Sequence, residues 1–245
     1  MIIHKSTFSL VKKYMKLITI ESKTLILIGP VDLPINVDGQ TYPFKWYTWL
    51  TAGDNLKEGS SLEDVYTMLE GAPLAHKQLS SVLVYGDFEN QDEAYVRLHS
   101  ICHTGDVFGS ELCDCGEQFK AARRLIVQEG CGAIFYLADQ EGRGIGLYQK
   151  AMAYLLQKQG LDTVEANRAL GFEDDLRSYN EAISVLKALR EHPINLITNN
   201  SNKIEQLRKG EVQINKRVPV WCEMTTYNSK YIQTKIERSG HIKEY

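Results

Sequence analysis

The chain has 245 residues, 43% hydrophobic and 24% charged, an ordinary globular balance with enough apolar material for a sizeable core. A formal charge of −3 gives no basic excess for gripping a nucleic-acid backbone, although a local cluster of cations would suffice for a small phosphorylated ligand. Five cysteines, an odd number with three clustered, fit metal binding in a reducing compartment better than a disulfide frame.

Near the amino terminus Lys5, Lys12, Lys13 and Lys16 interrupt every apolar stretch, so no signal-peptide core is visible. The longest apolar run there, Leu25 to Ile28, is far too short to span a bilayer. The expected location is the cytoplasm, with no membrane and no nucleic-acid partner.

Thr24–Ile28 and Lys45–Leu50 have the β-branched and aromatic content of strands, with Asp32-Leu33-Pro34, Asp38-Gly39 and Pro43 as turns between them. Ser61 to Asp64 opens a short helix, Leu62 to Leu69, closed by Gly71 and Pro73. Ser81–Tyr85 reads as a strand ended by Gly86-Asp87. This amino-terminal part shows no chemistry. From Tyr95 the period changes. A strand through Val96 and Leu98 is followed by helical spacing at Phe119, Ala122, Leu125 and Ile126, with Gly130 as a C-cap. Ala133–Ala138 is a buried-type strand, and a helix runs from Leu147 to Gln159. Ser178 and Glu181 form a capping box for the helix carrying Ile183, Leu186 and Leu189. The strand Ile194–Thr198 leads to a helix through Ile204 and Leu207, and Ser229 to Arg238 is a last helix stopped by Gly240. This alternation predicts an α/β fold, a layered mixed β-sheet with flanking helices, over residues 81–245, preceded by a β-rich region over residues 1–80.

Cys102, Cys113 and Cys115 lie in RLHSICHTGDVFGSELCDCGEQ, residues 97–118, with the spacing C-x10-C-x-C. Clustered thiolates in a soluble chain read first as a zinc site, and three ligands instead of four leave a position for water. A closed site completed by His99, His103 or Cys131 and three unrelated thiols are the alternatives. The flanking Arg97, His99, Ser100 and Thr104-Gly105-Asp106 suit an anionic ligand.

Ligands of α/β sheets sit beyond the carboxyl ends of strands, where QEGRGIG (140–146) and TNNSNK (198–203) fall. The glycines at 142, 144 and 146 would let backbone N–H groups approach an anion at the helix N-terminus, or serve only a sharp turn. Asp175 and Arg177, two residues apart, read by themselves as a solvated surface pair.

Taken together, RLHSICHTGDVFGSELCDCGEQ, QEGRGIGL, DTVEANRALGF, the D-x-R of DDLRSY and TNNSNKIEQL resemble, in order, the signature of GTP cyclohydrolase II, over about residues 82–241. That family opens the imidazole ring of GTP at the first step of riboflavin biosynthesis. The resemblance implies one zinc per subunit on Cys102, Cys113 and Cys115, magnesium with the nucleotide, and a homodimer. It makes Asp175 the proton acceptor and Arg177 the nucleophile toward the α-phosphate. Nucleotide contacts fall on Arg97, Leu98, His99, Ser100, Ile101, Gln118, Glu141, Gly142, Arg143, Thr163, Thr198 and Lys203. Tyr154 matches an active-site tyrosine of the family, although pattern alone allows a core aromatic. The implied products are formate, pyrophosphate and 2,5-diamino-6-(5-phosphoribosylamino)pyrimidin-4(3H)-one.

Three positions depart from the family pattern. Ile101 replaces the glutamate of RVHSEC, His103 replaces a leucine, and Asp139 stands where the family often has arginine. Two other readings therefore accompany the main one. One is a diverged paralogue that takes another purine nucleotide or keeps the formyl group; the other is a non-catalytic nucleotide-binding or regulatory protein. A second, dihydroxybutanone phosphate synthase domain is not expected from the 80 or so residues before the motifs.

Overall fold

The computed structural model describes residues 4–21, 23–52, 56, 59–70, 72–74, 77, 79–238 and 240–242. Gly71, expected to help stop the first clear helix, lies outside them. Eight strands form one sheet: β1 Met15–Ile20, β2 Lys23–Val37, β3 Gln40–Thr51, β4 Ser81–Tyr85, β5 Tyr95–Ser100, β6 Gly132–Leu137, β7 Ile194–Ile197 and β8 Ile214–Val218. Their spatial order is β1-β2-β3-β4-β6-β5-β7-β8. Pairing is antiparallel from β1 through β4 and on to β6, then parallel across β6, β5, β7 and β8. The sheet is mixed and the fold is α/β, as the sequence predicts.

The helices are α1 Lys5–Val11, α2 Leu62–Leu69, α3 His103–Asp106, α4 Cys115–Glu129, α5 Leu147–Lys158, α6 Thr163–Ala169, α7 Asn180–Leu189, α8 Ser201–Lys209 and α9 Ser229–Arg238. Alternation along the strands sorts their side chains into two layers. Val96 and Leu98 of β5, with Ala133 and Phe135 of β6, pack against Ile183 and Leu186 of α7 and Leu207 of α8. Tyr95 and Ile134, on the opposite face, meet Ala122 and Ile126 of α4. Ile26 and Leu50 of the long hairpin are covered by Phe8 of α1 and by Val65 and Leu69 of α2. Among the described residues no helix is long and apolar enough to cross a membrane.

Two sequence expectations are corrected. Asp32-Leu33-Pro34 and Pro43 are not turns but lie inside β2 and β3. The reversal is at Asp38-Gly39 alone, where φ is +50° and +89°, as a two-residue hairpin turn requires. Val37 pairs with Gln40, so every second pair from there, including Pro34 opposite Pro43, falls at a site without ladder hydrogen bonds. Neither proline N–H is missed. The Ser178–Glu181 capping box is also absent, because α7 begins at Asn180 with no side-chain cap. Glu181 instead accepts hydrogen bonds from Trp49 Nε1 (3.0 Å) and Thr51 Oγ1 (2.7 Å), tying α7 to the amino-terminal hairpin. α1, β1, α3, α6 and β8 are elements the sequence reading did not include.

Candidate active site

The carboxyl ends of β5, β6 and β7 open into one cleft. Chain order reverses there, β6 lying on one side of β5 and β7 on the other, which is where open α/β sheets place ligands. Arg97, His99, Ser100, Ile101, Cys102, Cys113, Cys115, Gln118, Glu141, Gly142, Arg143, Tyr154, Thr163, Arg177, Thr198 and Lys203 all line it. Two of the singled-out residues do not. Leu98 is in the core and contributes its carbonyl, which accepts from Lys203 Nζ at 2.7 Å. Asp175 stands behind Arg177.

The three cysteine sulfurs lie within 4.8 Å of one another, with Cys102 and Cys113 Sγ at 3.5 Å. A tetrahedral ion with Zn–S bonds of about 2.3 Å spaces its sulfurs about 3.8 Å apart, so this trio fits a thiophilic metal. Among the described residues no further histidine, cysteine or carboxylate joins the group. His99 is turned to Asp106, the His103 ring packs edge-on against Phe108, and Cys131 is in the core. Hydrogen bonds from Cys113 and Cys115, with the Lys150 ammonium 3.1 Å away, hold the Cys102 thiol far below its usual range; hydrogen bonds to Cys102 and Cys115, with burial, push Cys113 up.

Close approach of α3 to α4 assembles the trio. A Cβ on Gly105 would stand 3.0 Å from Cys113 Sγ, and one on Gly116 only 2.3 Å from the Gly105 carbonyl oxygen. Beneath the sulfurs runs a buried polar chain. Arg97 Nε donates to His99 Nδ1 (3.3 Å), which assigns the ring proton to Nε2, and Nε2 donates to Asp106 (3.0 Å). Burial lowers the His99 pKa and keeps the ring neutral. Asp106 also accepts from the Cys102 amide (2.9 Å) and the Tyr136 hydroxyl (3.1 Å).

The loop after β6 is a tight double turn. Gly142, Arg143, Gly144 and Gly146 all have positive φ, and at Arg143 that backbone (φ +69°) costs energy. The Gly144 and Gly146 amides both donate to the Glu141 carbonyl at 3.0 Å, which is the sharp-turn alternative of the sequence reading for these two glycines. Glu141 itself accepts from Lys150 Nζ (2.6 Å) and the His103 amide (2.7 Å).

Arg177 is held on two sides. Its Nε and Nη2 donate to Asp175 at 2.7 and 2.6 Å, and Nη1 donates to Ser100 Oγ at 3.2 Å. Ser100 in turn donates to Gln140 Oε1 at 2.6 Å, and Gln140 donates to the Ser178 carbonyl at 2.7 Å. Burial works against the Arg177 charge, yet Tyr179 and Asp175 raise its pKa; burial also opposes the Asp175 charge, and Arg177 overcomes it. Lys203 is pulled well below the usual lysine range by burial, reinforced by Arg177, Arg97 and Lys235. Thr163 Oγ1 is buried in the cleft wall with no partner. These groups suit a polyanion.

A model of the GTP cyclohydrolase II family matches residues 73–219, well over half of the sequence. The chain belongs to the GTP cyclohydrolase II family. It is 49% identical over 160 residues to the riboflavin biosynthesis protein RibBA of Bacillus subtilis (strain 168), covering 65% of this chain and 40% of that protein. RibBA proteins of Bacillus velezensis (49%) and Bacillus cytotoxicus (48%) align over the same shares. The chain therefore spans about two fifths of the length of these relatives.

Sequence reasoning missed Lys150, Asp114, Gln140, Tyr231 and Lys235. All but Asp114 line the cleft. Tyr231 and Lys235 are four apart on α9, so they share one face of it, and that spacing was readable. Of the three departures only Ile101 lines the cleft; His103 and Asp139 face a separate depression beside Gly144 and Leu147.

Proposed function

We propose that this chain is a GTP cyclohydrolase II, with residues 81–245 as its catalytic unit, opening the imidazole ring of GTP and releasing formate and pyrophosphate. The organic product in this reading is 2,5-diamino-6-(5-phosphoribosylamino)pyrimidin-4(3H)-one, which places the protein at the first step of riboflavin biosynthesis. The observation that carries the proposal is the meeting, in one cleft, of three cysteine sulfurs with Arg177, Lys203 and the strained Arg143.

Cys102, Cys113 and Cys115 would hold a zinc ion, which supplies the Lewis acidity that makes water nucleophilic toward C8 of guanine at neutral pH. The chain's own residues do the rest. Thr163, with its unpaired hydroxyl, and Lys203 bind the magnesium triphosphate. Asp175 is in direct contact with two Arg177 nitrogens, so it can accept a proton as arginine nitrogen bonds to the α-phosphorus and the bond to pyrophosphate breaks. Ser100 and Gln140 fix the third nitrogen and so the plane of the guanidinium. Tyr154, hydrogen-bonded to Thr104 beside Cys102, forms the wall nearest the purine.

A second reading rests on Ile101, which puts an apolar side chain in the cleft wall where the family pattern has a carboxylate. It is an enzyme that opens the ring and retains the formyl group. Mass-spectrometric product analysis of zinc-loaded protein with GTP and magnesium tests both. Formate and pyrophosphate are expected, and both disappear in Cys113→Ser. A formylated product supports the second reading. No product from metal-loaded protein overturns both.

A further inference from the structure

We propose that α9 is a clasp on the metal-binding turn, with Lys235 and Tyr231 as positioning residues that hold Cys113-Asp114-Cys115 in ligating geometry. The proposal rests on the reading of the cysteines as metal ligands. It extends that reading to a helix beyond residue 219.

Asp114, the residue between the two paired cysteines, has a fully buried side chain. A carboxylate without water must be met by donors, and two reach it. Lys235 Nζ donates to Oδ1 at 2.5 Å, and Gln118 Nε2 donates to Oδ2 at 2.7 Å. Gln118 also accepts from Arg97 Nη2 (2.7 Å). The polar chain under the sulfurs thus runs unbroken from the Cys102 amide through Asp106, His99, Arg97, Gln118 and Asp114 to Lys235. One turn earlier on α9, the Tyr231 hydroxyl stands 3.8 Å from Cys115 Sγ.

The helix is itself fastened at both ends, away from the sulfurs. Arg238 pairs with Asp162 (2.6 Å) and Lys230 Nζ donates to the Gly160 carbonyl (2.9 Å). The Ile242 amide donates to the Asn199 carbonyl at 2.8 Å, beside the cleft. Asp114 N-caps α4 without a side-chain cap bond, its carboxylate turned inward to Gln118 of the same helix and to Lys235, and of these two only Lys235 brings a charge. A ligand-bearing turn whose buried charge is balanced from another helix keeps its shape only while that helix is docked.

The test is the rate at which the full chain, loaded with one equivalent of zinc, gives up its metal to a chromophoric chelator. Removing partners that orient metal ligands costs about 10- to 100-fold in metal affinity. An increase of that order in the release rate is expected for Lys235→Met, and a smaller one for Tyr231→Phe, which deletes one hydroxyl and keeps the ring packing. Lys235→Met and Asp114→Asn should be non-additive when combined, since each breaks the same contact. Release unchanged in Tyr231→Phe and in a folded Lys235→Met would overturn the clasp. If Lys235→Met does not fold, Tyr231→Phe and Lys235→Gln, which removes the charge and keeps a polar donor, decide: release as in the wild type for both overturns it. A wild-type chain that binds no zinc sinks the metal reading itself.

Discussion

At the residue scale the cleft gathers cations that are costly to keep together without an anion. Lys203 is the clearest case. It is buried beside Arg97, Arg177 and Lys235, and among the described residues it donates to a neutral carbonyl, that of Leu98. Both burial and like charge favour the neutral amine, so its proton leaves at a lower pH than for an ordinary lysine. A triphosphate would favour the charged form and bind best while the proton is present. The expected outcome is a KM for GTP that rises on the alkaline side, below the usual lysine range, with kcat changing less. Lys203→Met should raise KM at neutral pH and flatten that limb. A KM indifferent to pH in the wild type would remove Lys203 from nucleotide binding.

At the scale of elements, the geometry of the sulfur trio depends on how closely α3 meets α4. Gly116→Ala should favour α4 by up to about 1 kcal/mol through helix propensity. Its Cβ, however, would sit 2.3 Å from a backbone oxygen, which only separation of the two segments relieves. Overpacking of this kind costs about 1–3 kcal/mol, so the clash wins and Gly116→Ala should lower both Tm and zinc content. Gly105→Ala, which crowds two of the sulfurs directly, should lower zinc content with a smaller change in Tm.

The same scale explains what could be read in advance. α4 was legible from its apolar spacing and the left-handed Gly130 that ends it, and α8 from Asn200, whose side chain accepts from the Asn202 amide. α6 carried an equally local signal, Asp162 and Glu165 forming a true capping box, which the reading passed over. Ser178 and Glu181 have the same spacing without the structure, because Trp49 and Thr51 compete for the glutamate from 130 residues away. The prolines of β2 and β3 misled for a related reason: only the register shows that their missing N–H groups face no partner. At the site, the sulfur trio was legible because its cysteines are close in sequence, whereas the D-x-R pair reads alone as a surface pair and stood out only through the family resemblance. Asp114 with Lys235, and Arg177 with Ser100, join residues 121 and 77 positions apart and were not legible.

On the scale of the whole molecule, one sheet joins an antiparallel half, which carries no candidate chemistry, to a parallel half whose strand ends form the cleft. Glu181 links them, its carboxylate on the hairpin and its helix running from the segment that holds Asp175 and Arg177. The polar chain beneath the sulfurs and the docking of α9 then hold, at the cleft wall, three cysteine sulfurs that could bind a metal; on the proposed function such a metal would keep one position open to the cleft. X-ray absorption at the zinc edge, on protein loaded with one equivalent of zinc, tests that most directly. Three sulfurs at about 2.3 Å and one oxygen or nitrogen donor are expected. Four sulfurs, or none, would contradict an open, catalytic site on Cys102, Cys113 and Cys115.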